Sequence, residues 1–478
     1  MFRKIISNVI ESTHPIETVY PCPFTLKDTS SFSWLMNYAP CFPINAANIK
    51  ILTSPKEFYQ AVVSHCESAT QRVTMASLYV GNGELEKRIV TALRNNKSFK
   101  ENKLKVNFLL DYNRGSRYKN NSRRMLLPLV QDNNKTCMVS LYHTPLLRAN
   151  IRRLMPARWN ELCGLQHMKL YIFDDTLIIS GANLSHDYFT NRQDRYFMIK
   201  DKRLCDFYNT LVGKVQTFSF TLSKKDVPYV HDDWEYSPAF EGDKQEFIEK
   251  TGDMIEEYIY DTRMEQNVHK YEGYDTWIFP LIQMGQLGID QDSVVTEKIF
   301  GEAPSGSQLR IASGYFNFTS KYMSTLIHRS QGQCSILMAH PEANGFLGAD
   351  GPAGGIPYAY SLIAHKFKQQ FQKSGQSERF TLLEYLKKGW TYHAKGLWYY
   401  APQCNYPCLT LVGSPNFGER SVKKDLETQL AIVTENDDLK KELDKECKQL
   451  YKLGLPADTE RSVPKWVHLF VLLFREYF

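Results

Sequence analysis

The sequence predicts an α/β protein of two pseudo-repeated halves, each a mixed sheet flanked by helices. Three observations support this prediction. Strand-like apolar runs alternate with helical patterns, motifs of the N-terminal half recur in the C-terminal half, and the composition is that of a globular protein. Hydrophobic residues make up 43% and charged residues 23% of the 478 residues, which excludes a disordered, fibrous or polytopic membrane protein.

The net charge and the cysteine content limit which partners and which cellular compartment are expected. The chain has 58 Lys and Arg residues against 52 Asp and Glu residues. The resulting net charge of +6 is too small to indicate general nucleic-acid binding but is compatible with anionic substrates. The ten Cys residues are scattered without the spacing of a disulfide scaffold, which favours a reducing compartment. We therefore expect no nucleic-acid partner, and the sequence leaves the oligomeric state open.

The N-terminal segment is predicted over residues 1–50. Arg3 and Lys4 lie on a short amphipathic stretch, and Glu11 ends this stretch before it reaches the length of a convincing transit peptide. The segment is therefore at most a weak organellar targeting signal.

The two halves are predicted over residues 51–226 and 276–452, joined by a connector over 227–275 that is rich in charge and Tyr. RVTMASLYVGNGELEKRIVTALR reads as a strand, a turn and a helix, and LRIASGYFNFTSKYMSTLIHR repeats the pattern 236 residues later. A further strand follows in each half, LKVNFLLD in the first and CSILMAH in the second.

A C-terminal amphipathic tail is predicted over residues 453–478. Its apolar stretch in KWVHLFVLLFREYF is too short to span a bilayer, and aromatic and basic residues flank it. This pattern is typical of a helix in a membrane interface, with a helix docked on the protein body as the equal alternative.

A repeated His-x-Lys motif carries the predicted chemistry. His167 and Lys169 match His393 and Lys395, each 226 residues apart. Residues two apart in a strand face the same side, so each half places an imidazole beside a fixed cation. A phosphoryl centre needs that pairing, because the imidazole attacks phosphorus or moves a proton while the cation holds the nonbridging oxygens.

Each motif is followed by an Asn and then by a carboxylate. Asn183 and Asn416 lie in Gly/Ser turns after apolar strands, where their amides can donate to the same oxygens. Asp194 and Glu427 each lie eleven residues further on, where a carboxylate can hold the second nitrogen of an imidazole. The offset grows here to 233, which predicts a seven-residue insertion in the loop APQCNYP. The sequence does not tell which carboxylate serves which histidine.

These residues resemble the duplicated motif of the phospholipase D superfamily, in which two similar halves form one active site at their interface. Within the superfamily the chain is similar to the eukaryotic phosphatidylglycerophosphate synthases over roughly residues 55 to 475. The matching stretches are LYHTPLLR, GLQHMKLYIFDDTLIISGANLS, FTNRQDRYF, GYFN, PEANGF, GWTYHAKGLW and LVGSPNFGERSVKKDLETQLAIVTEN.

The resemblance implies transfer of the phosphatidyl group of CDP-diacylglycerol to sn-glycerol 3-phosphate, with release of CMP, on the way to phosphatidylglycerol and cardiolipin. It implies a peripheral enzyme on an anionic membrane surface, the matrix side of the mitochondrial inner membrane. By analogy, His167 is the nucleophile that forms a phosphatidyl-histidine, and His393 is the general acid and base. No cofactor or protein metal site is expected, although a divalent cation can arrive with the substrate diphosphate.

Other residues carry secondary expectations. The superfamily Asp seven residues after the His is Asp174 in the first copy but is replaced by Tyr400 in the second, so Asp174 is expected to be structural. Arg114 and Arg117 follow a predicted strand and are candidate substrate-binding residues for a phosphate or lipid headgroup, with a solvated basic loop as the alternative. The Gly-rich stretch from Gly345 to Gly355 is a candidate active-site rim.

Two other functions stay open. A phosphodiesterase or nuclease of the same superfamily would use the same residues with water as the acceptor, and competition between acceptors distinguishes it. A non-catalytic lipid-binding protein is the other alternative, and the two intact motifs with their Asn and acidic residues count against it.

Overall fold

The computed structural model describes residues 22–133, 135–154, 160–230, 234, 242–266, 273–349 and 351–477. The weak organellar targeting signal predicted near the N-terminus lies outside these ranges. The described strands are β1 Phe42–Ile44, β2 Ile49–Leu52, β3 Arg72–Ala76, β4 Lys105–Asp111, β5 Cys137–Tyr142, β6 Leu170–Phe173, β7 Thr176–Ser180, β8 Arg192–Gln193, β9 Tyr196–Lys200, β10 Phe220–Leu222, β11 Pro228–Val230, β12 Thr276–Met284, β13 Gln308–Ser313, β14 Gln333–Ala339, β15 Phe380–Tyr385, β16 Thr391–Tyr392, β17 Lys395–Tyr400, β18 Leu409–Gly413, β19 Leu426–Thr434 and β20 Gly454–Pro456.

Two large mixed sheets form the body of the molecule. The first has the order β11-β10-β5-β4-β3-β6-β7-β9-β2, and the second has the order β1-β12-β19-β18-β17-β13-β14-β15-β20. The run β5-β4-β3-β6-β7-β9-β2 and the run β15-β14-β13-β17-β18-β19-β12 share one pattern, in which the first three strands are parallel and the others antiparallel. The prediction of a mixed sheet in each half is confirmed.

Helices cover both sheets. The described α-helices are Lys27–Ser30, Pro55–Ser68, Glu84–Asn95, Lys97–Lys100, Tyr112–Gly115, Ser122–Asp132, Ala149–Leu154, His186–Thr190, Lys202–Thr217, Lys244–Gln266, Gln291–Gly301, Ser320–His328, Ile356–Lys373, Glu419–Lys423, Asp437–Tyr451 and Lys465–Phe474. Local sequence fixes their starts. Ser54 accepts a hydrogen bond from the Glu57 amide at the start of Pro55–Ser68, and Asp201 does the same for Leu204 at the start of Lys202–Thr217.

Three apolar cores arrange these layers. The central core joins the inner faces of both sheets, with residues such as Ile172 and Leu430, to apolar faces of the helices Lys202–Thr217 and Asp437–Tyr451. The outer face of the first sheet packs on Pro55–Ser68 and its neighbours, and that of the second sheet packs on Ile356–Lys373 and its neighbours. Because one core holds both sheets together, the two halves are fixed against each other.

The hairpins that follow the His-x-Lys motifs differ in length. Strands β6 and β7 are joined by Asp174 and Asp175, whereas β17 and β18 are joined by residues 401–408, where the insertion was predicted. Asp174 has a positive φ of 50° and accepts hydrogen bonds from the amides of Thr70 and Gln71 at 2.9 and 2.7 Å. It therefore holds a turn, as expected.

Both ends of the described chain pack on the second half. Strand β1 pairs with β12, so part of the predicted N-terminal segment completes the second sheet. The helix Lys465–Phe474 docks through Val467 and Val471, which are buried in the outer core of that half. No helix among the described residues is long and apolar enough to cross a membrane.

Candidate active site

The two His-x-Lys motifs lie at the start of matching strands. His167 and Lys169 precede β6, and His393 precedes β17, which begins at Lys395. Lys169 Nζ donates to the carbonyl oxygen of His167 at 2.7 Å, and Lys395 Nζ donates to that of His393 at 2.8 Å. All four residues are buried, so each lysine is fixed on the same side of the chain as its histidine.

The carboxylates cross between the halves. Nδ1 of His167, in the first half, lies 2.8 Å from Oε1 of Glu427 in the second. Nδ1 of His393, in the second half, lies 2.7 Å from Oδ2 of Asp194 in the first. Each imidazole is thereby oriented by a carboxylate from the other half, and its Nε2 is the nitrogen left for chemistry.

Backbone contacts across the interface set this crossing. The amide of His167 donates to the carbonyl of Leu426 at 2.9 Å, beside Glu427. The amide of His393 donates to the carbonyl of Gln193 at 2.8 Å, beside Asp194, and β8 pairs with β16 here. Each histidine and its carboxylate are thus held by main-chain hydrogen bonds as well as by side chains.

The two asparagines lie in the turns that follow β7 and β18. Oδ1 of Asn183 accepts from the amide of Leu78 at 3.3 Å, so its NH₂ group is the end oriented to donate elsewhere. Oδ1 of Asn416 is buried and has no hydrogen-bond partner among the described residues. Gly181 allows close packing, since a Cβ there would lie 2.8 Å from both Asp194 and Lys395. The structure therefore brings together the two histidines, the two lysines and the two carboxylates, whereas catalysis by these residues and by the two asparagines stays a prediction.

Burial sets the protonation of these groups. It lowers the pKa of His167 and of His393 well below the usual value, and the charge of the neighbouring lysine acts in the same direction. Burial raises the pKa of Asp194 to about 6 against the opposing charge of Lys395, and lowers the pKa of Lys395 to about 8. These shifts favour the neutral imidazole, which is the form that nucleophilic attack requires.

Four groups that sequence reasoning missed make the two histidines unlike. Tyr188 Oη lies 3.3 Å from Nε2 of His393, and Arg192 stacks on the Tyr188 ring. In the second half, Ser421 matches Tyr188 and Asp425 matches Arg192, each 233 residues later. Ser421 donates a hydrogen bond to Glu427 at 2.9 Å. The repeat could have located these positions, but their residue types differ between the halves and gave no motif.

The two predicted substrate-binding arginines have different surroundings. Arg114 lies over the ring of Tyr79 at 4.1 Å, and Tyr79 Oη lies 2.9 Å from Ser185 Oγ, two residues after Asn183. Arg117 forms an ion pair with Glu161 at 2.7 Å. Arg114 thus lies near the site, whereas Arg117 is held by a carboxylate; substrate binding by either stays a prediction.

His167 and two carboxylates form a group of three possible metal ligands. Ligand atoms of His167, Asp425 and Glu427 lie within 4.8 Å of one another. Asp425 is held by Arg420 at 3.1 Å, and Glu427 accepts from Ser421. The charge of Arg420 also acts on His167 and opposes a second cation. The group fits a hydrogen-bonded acid–base set better than a metal site, and independence of a protein-bound metal stays a prediction.

The chain is similar in sequence to several known proteins. A family model described as "Cardiolipin synthase, PLD-like domain" matches residues 62–214. A protein of Gallus gallus named CDP-diacylglycerol–glycerol-3-phosphate 3-phosphatidyltransferase, mitochondrial, is 42% identical over 97% of this chain and 89% of its own length. The protein of that name from Homo sapiens is 40% identical over 99% and 91%. A CDP-diacylglycerol–glycerol-3-phosphate 3-phosphatidyltransferase of Saccharomyces cerevisiae is 31% identical over 92% and 89%.

A solved structure shares the fold. Phosphatidylserine synthase of Haemophilus influenzae superposes with a TM-score of 0.68 over 94% of this chain and 97% of that one, at 21% identity. With the family model, this confirms the predicted phospholipase D-like fold.

Proposed function

The chain belongs to the family of CDP-diacylglycerol–glycerol-3-phosphate 3-phosphatidyltransferases, and on that premise we propose how its site performs the reaction. It transfers the phosphatidyl group of CDP-diacylglycerol to sn-glycerol 3-phosphate and releases CMP, in phosphatidylglycerol and cardiolipin biosynthesis. We propose that the transfer passes through a phosphatidyl-histidine on His167. The observation that carries this proposal is the crossed pairing of His167 with Glu427 and of His393 with Asp194.

In the first step, Nε2 of His167 attacks the diacylglycerol-bearing phosphorus, and the bond from that phosphorus to the CMP oxygen breaks. His393 gives its Nε2 proton to the departing oxygen. The substrate diphosphate favours the protonated imidazole because its negative charge opposes the lowering effect of burial. Glu427 stabilises the positive charge that His167 gains when it bonds to phosphorus.

In the second step, neutral His393 removes the proton from the acceptor hydroxyl of glycerol 3-phosphate. The hydroxyl oxygen attacks phosphorus, the bond to His167 breaks, and both histidines return to their first state. Lys169, Lys395 and the amides of Asn183 and Asn416 hold the nonbridging oxygens in both steps. No step needs a protein-bound metal, and a divalent cation that enters with the diphosphate would screen its charge.

Product analysis tests the proposed function. The purified chain is incubated with labelled CDP-diacylglycerol, with and without glycerol 3-phosphate. We expect phosphatidylglycerophosphate and CMP when the acceptor is present. Phosphatidic acid as the main product under both conditions would identify a hydrolase, and no turnover of the lipid would favour a non-catalytic lipid-binding protein.

We propose that the enzyme works as a peripheral protein on the matrix side of the mitochondrial inner membrane. The helix Lys465–Phe474 supports membrane contact, because its face opposite the docked valines exposes a row of large apolar side chains. These are Trp466, Leu469, Leu472 and Leu473, with exposed fractions of 49%, 59%, 76% and 59%. An exposed apolar row with Lys465 at its N-terminal end suits the interface of an anionic bilayer.

The same helix is linked to the active site. The Asn317 side chain donates to the carbonyl of Arg475 at 3.0 Å, and Arg475 donates to the carbonyl of Phe318 at 2.7 Å. The loop that carries Asn317 also carries Tyr315, whose ring centroid lies 5.2 Å from that of His393. A bilayer on the helix would therefore present lipid substrate close to the catalytic histidines.

Replacing Leu472 and Leu473 together by Glu should weaken binding to vesicles of phosphatidylcholine and phosphatidylglycerol by about tenfold or more. Turnover on detergent-dispersed substrate should fall much less, because neither side chain is buried. The matched control replaces Leu453 and Leu455, which are exposed in or just before β20 and outside this helix, by Glu. Equal vesicle binding by both double variants would exclude the helix as the membrane contact.

A further inference from the structure

The acceptor carries a phosphate that does not react. Glycerol 3-phosphate offers a hydroxyl to the phosphatidyl-enzyme and keeps its own phosphate monoester, a dianion, some bonds away. Lys169 and Lys395 lie beside the histidines, where the reacting phosphorus binds. A separate cation is therefore needed on the side of the general base, His393.

Arg192 is such a cation. Its guanidinium lies 4.6 Å from the centroid of the Tyr188 ring, and Tyr188 Oη lies 3.3 Å from Nε2 of His393. Nε of Arg192 donates to Thr391 Oγ1 at 3.0 Å, and Nη2 lies 3.2 Å from Asp187 Oδ2. Asp187 is 56% exposed, so water screens this ion pair and leaves the guanidinium able to bind a stronger anion.

Tyr315 and Gly345 complete the surroundings of Arg192. A Cβ placed on Gly345 would lie 3.1 Å from Arg192 Nη2 and 3.2 Å from Tyr315 Oη, so both polar atoms face one point beside the Gly-rich stretch. The Tyr188 and Tyr315 rings both meet the His393 ring edge to face, with centroids 5.1 and 5.2 Å apart. A guanidinium and two phenol hydroxyls thus lie together at the His393 side of the site.

The other half lacks this arrangement. The residue 233 positions after Arg192 is Asp425, an anion held by Arg420, and the residue that matches Tyr188 is Ser421. The matched position therefore carries a carboxylate beside His167 and a guanidinium on the His393 side. The two halves therefore differ at the positions that would contact the acceptor substrate.

We propose that Arg192, with the hydroxyls of Tyr188 and Tyr315, binds the nonreacting phosphate monoester of the acceptor and so selects glycerol 3-phosphate over uncharged alcohols. This inference rests on the proposed function. It assigns His393 and the acceptor phosphate to one side of the site, which places the acceptor hydroxyl near the base that deprotonates it. A guanidinium suits a phosphate because it offers paired donors in a fixed plane.

The test compares two acceptors in one variant. Arg192→Gln should lower the ratio of kcat/KM for glycerol 3-phosphate to kcat/KM for glycerol by about 10- to 100-fold, the worth of a charged hydrogen bond. Arg192→Lys should recover part of the ratio, because it keeps the charge and loses the paired donors. Tyr315→Phe should lower the ratio less. Arg94→Gln, on a surface helix of the first half, is the matched control and should keep the wild-type ratio.

Two outcomes would overturn the inference. The first is an unchanged ratio in Arg192→Gln; if activity toward both acceptors then falls equally, Arg192 is a positioning residue for His393 alone. The second is that the exchange of labelled CMP into CDP-diacylglycerol, measured without acceptor, falls as far as the transfer to glycerol 3-phosphate. That result would assign Arg192 to the nucleotide phosphate. Wild-type enzyme that makes no phosphatidylglycerophosphate would overturn the proposed function itself.

Discussion

Replacing His167 by Ala should lower turnover by about 10³-fold or more, because it removes the nucleophile of a catalytic unit. Replacing His393 by Ala should cause a loss of the same order, since it removes the proton donor of the first step and the base of the second. Only His167→Ala should also abolish a covalent lipid adduct, trapped with labelled CDP-diacylglycerol and located by peptide mass spectrometry.

The adduct separates the two roles. An adduct on His393 that survives in His167→Ala would exchange the roles of the two histidines. Substantial activity in either variant would refute a site shared by both halves. Since both imidazoles are buried, each variant is first checked for a wild-type circular dichroism spectrum and unfolding temperature.

Glu427→Gln and Asp194→Asn should each lower turnover by about 10²- to 10⁴-fold, because each leaves a neutral amide opposite an imidazole that must carry charge. The crossed pairing also predicts which histidine responds to each substitution. Glu427→Gln should shift the ring nitrogen signals of His167, and Asp194→Asn those of His393, in NMR spectra assigned with the His→Ala variants. Asp174→Asn, in a turn of the first half, is the matched control and should shift neither signal.

The Asp194 variant also has a pH signature. The pKa of Lys395 is lowered by burial to about 8, and the charge of Asp194 opposes this lowering. Lys395 binds phosphoryl oxygens in its charged form, so activity should fall as the pH rises through that value. Asp194→Asn removes the opposing charge and should move this alkaline limb to lower pH. An alkaline limb that does not move in Asp194→Asn would contradict the crossed pairing. So would NMR spectra in which each substitution shifts the ring signals only of the histidine in its own half.

The repeat made much of the site predictable. His167, Lys169 and Asn183 recur with their partners at fixed offsets, so one sequence was enough to propose eight catalytic residues and two similar halves. The crossing of the carboxylates was not predictable. Glu427 meets His167 across 260 positions and Asp194 meets His393 across 199, and such contacts depend on how two sheets share a core.

Other features were missed for related reasons. Arg192 and Tyr188 lie at repeat positions where the second half has Asp425 and Ser421, so a search for matching residues passes over them. The pairing of β1 with β12 joins the N-terminal segment to the second half, although the sequence places it beside the first. For the tail, periodicity alone could not separate docking from membrane contact, and the structure shows one face docked and the other exposed.

The stereochemical course at phosphorus tests the central claim, a two-step transfer through His167, without any variant. In-line attack inverts configuration, so a phosphatidyl-histidine requires two inversions, whereas direct attack by glycerol 3-phosphate requires one. With CDP-diacylglycerol made chiral at the transferred phosphorus, we predict net retention in phosphatidylglycerophosphate. Net inversion would contradict the phosphatidyl-histidine and would make His167 a general base in a single displacement.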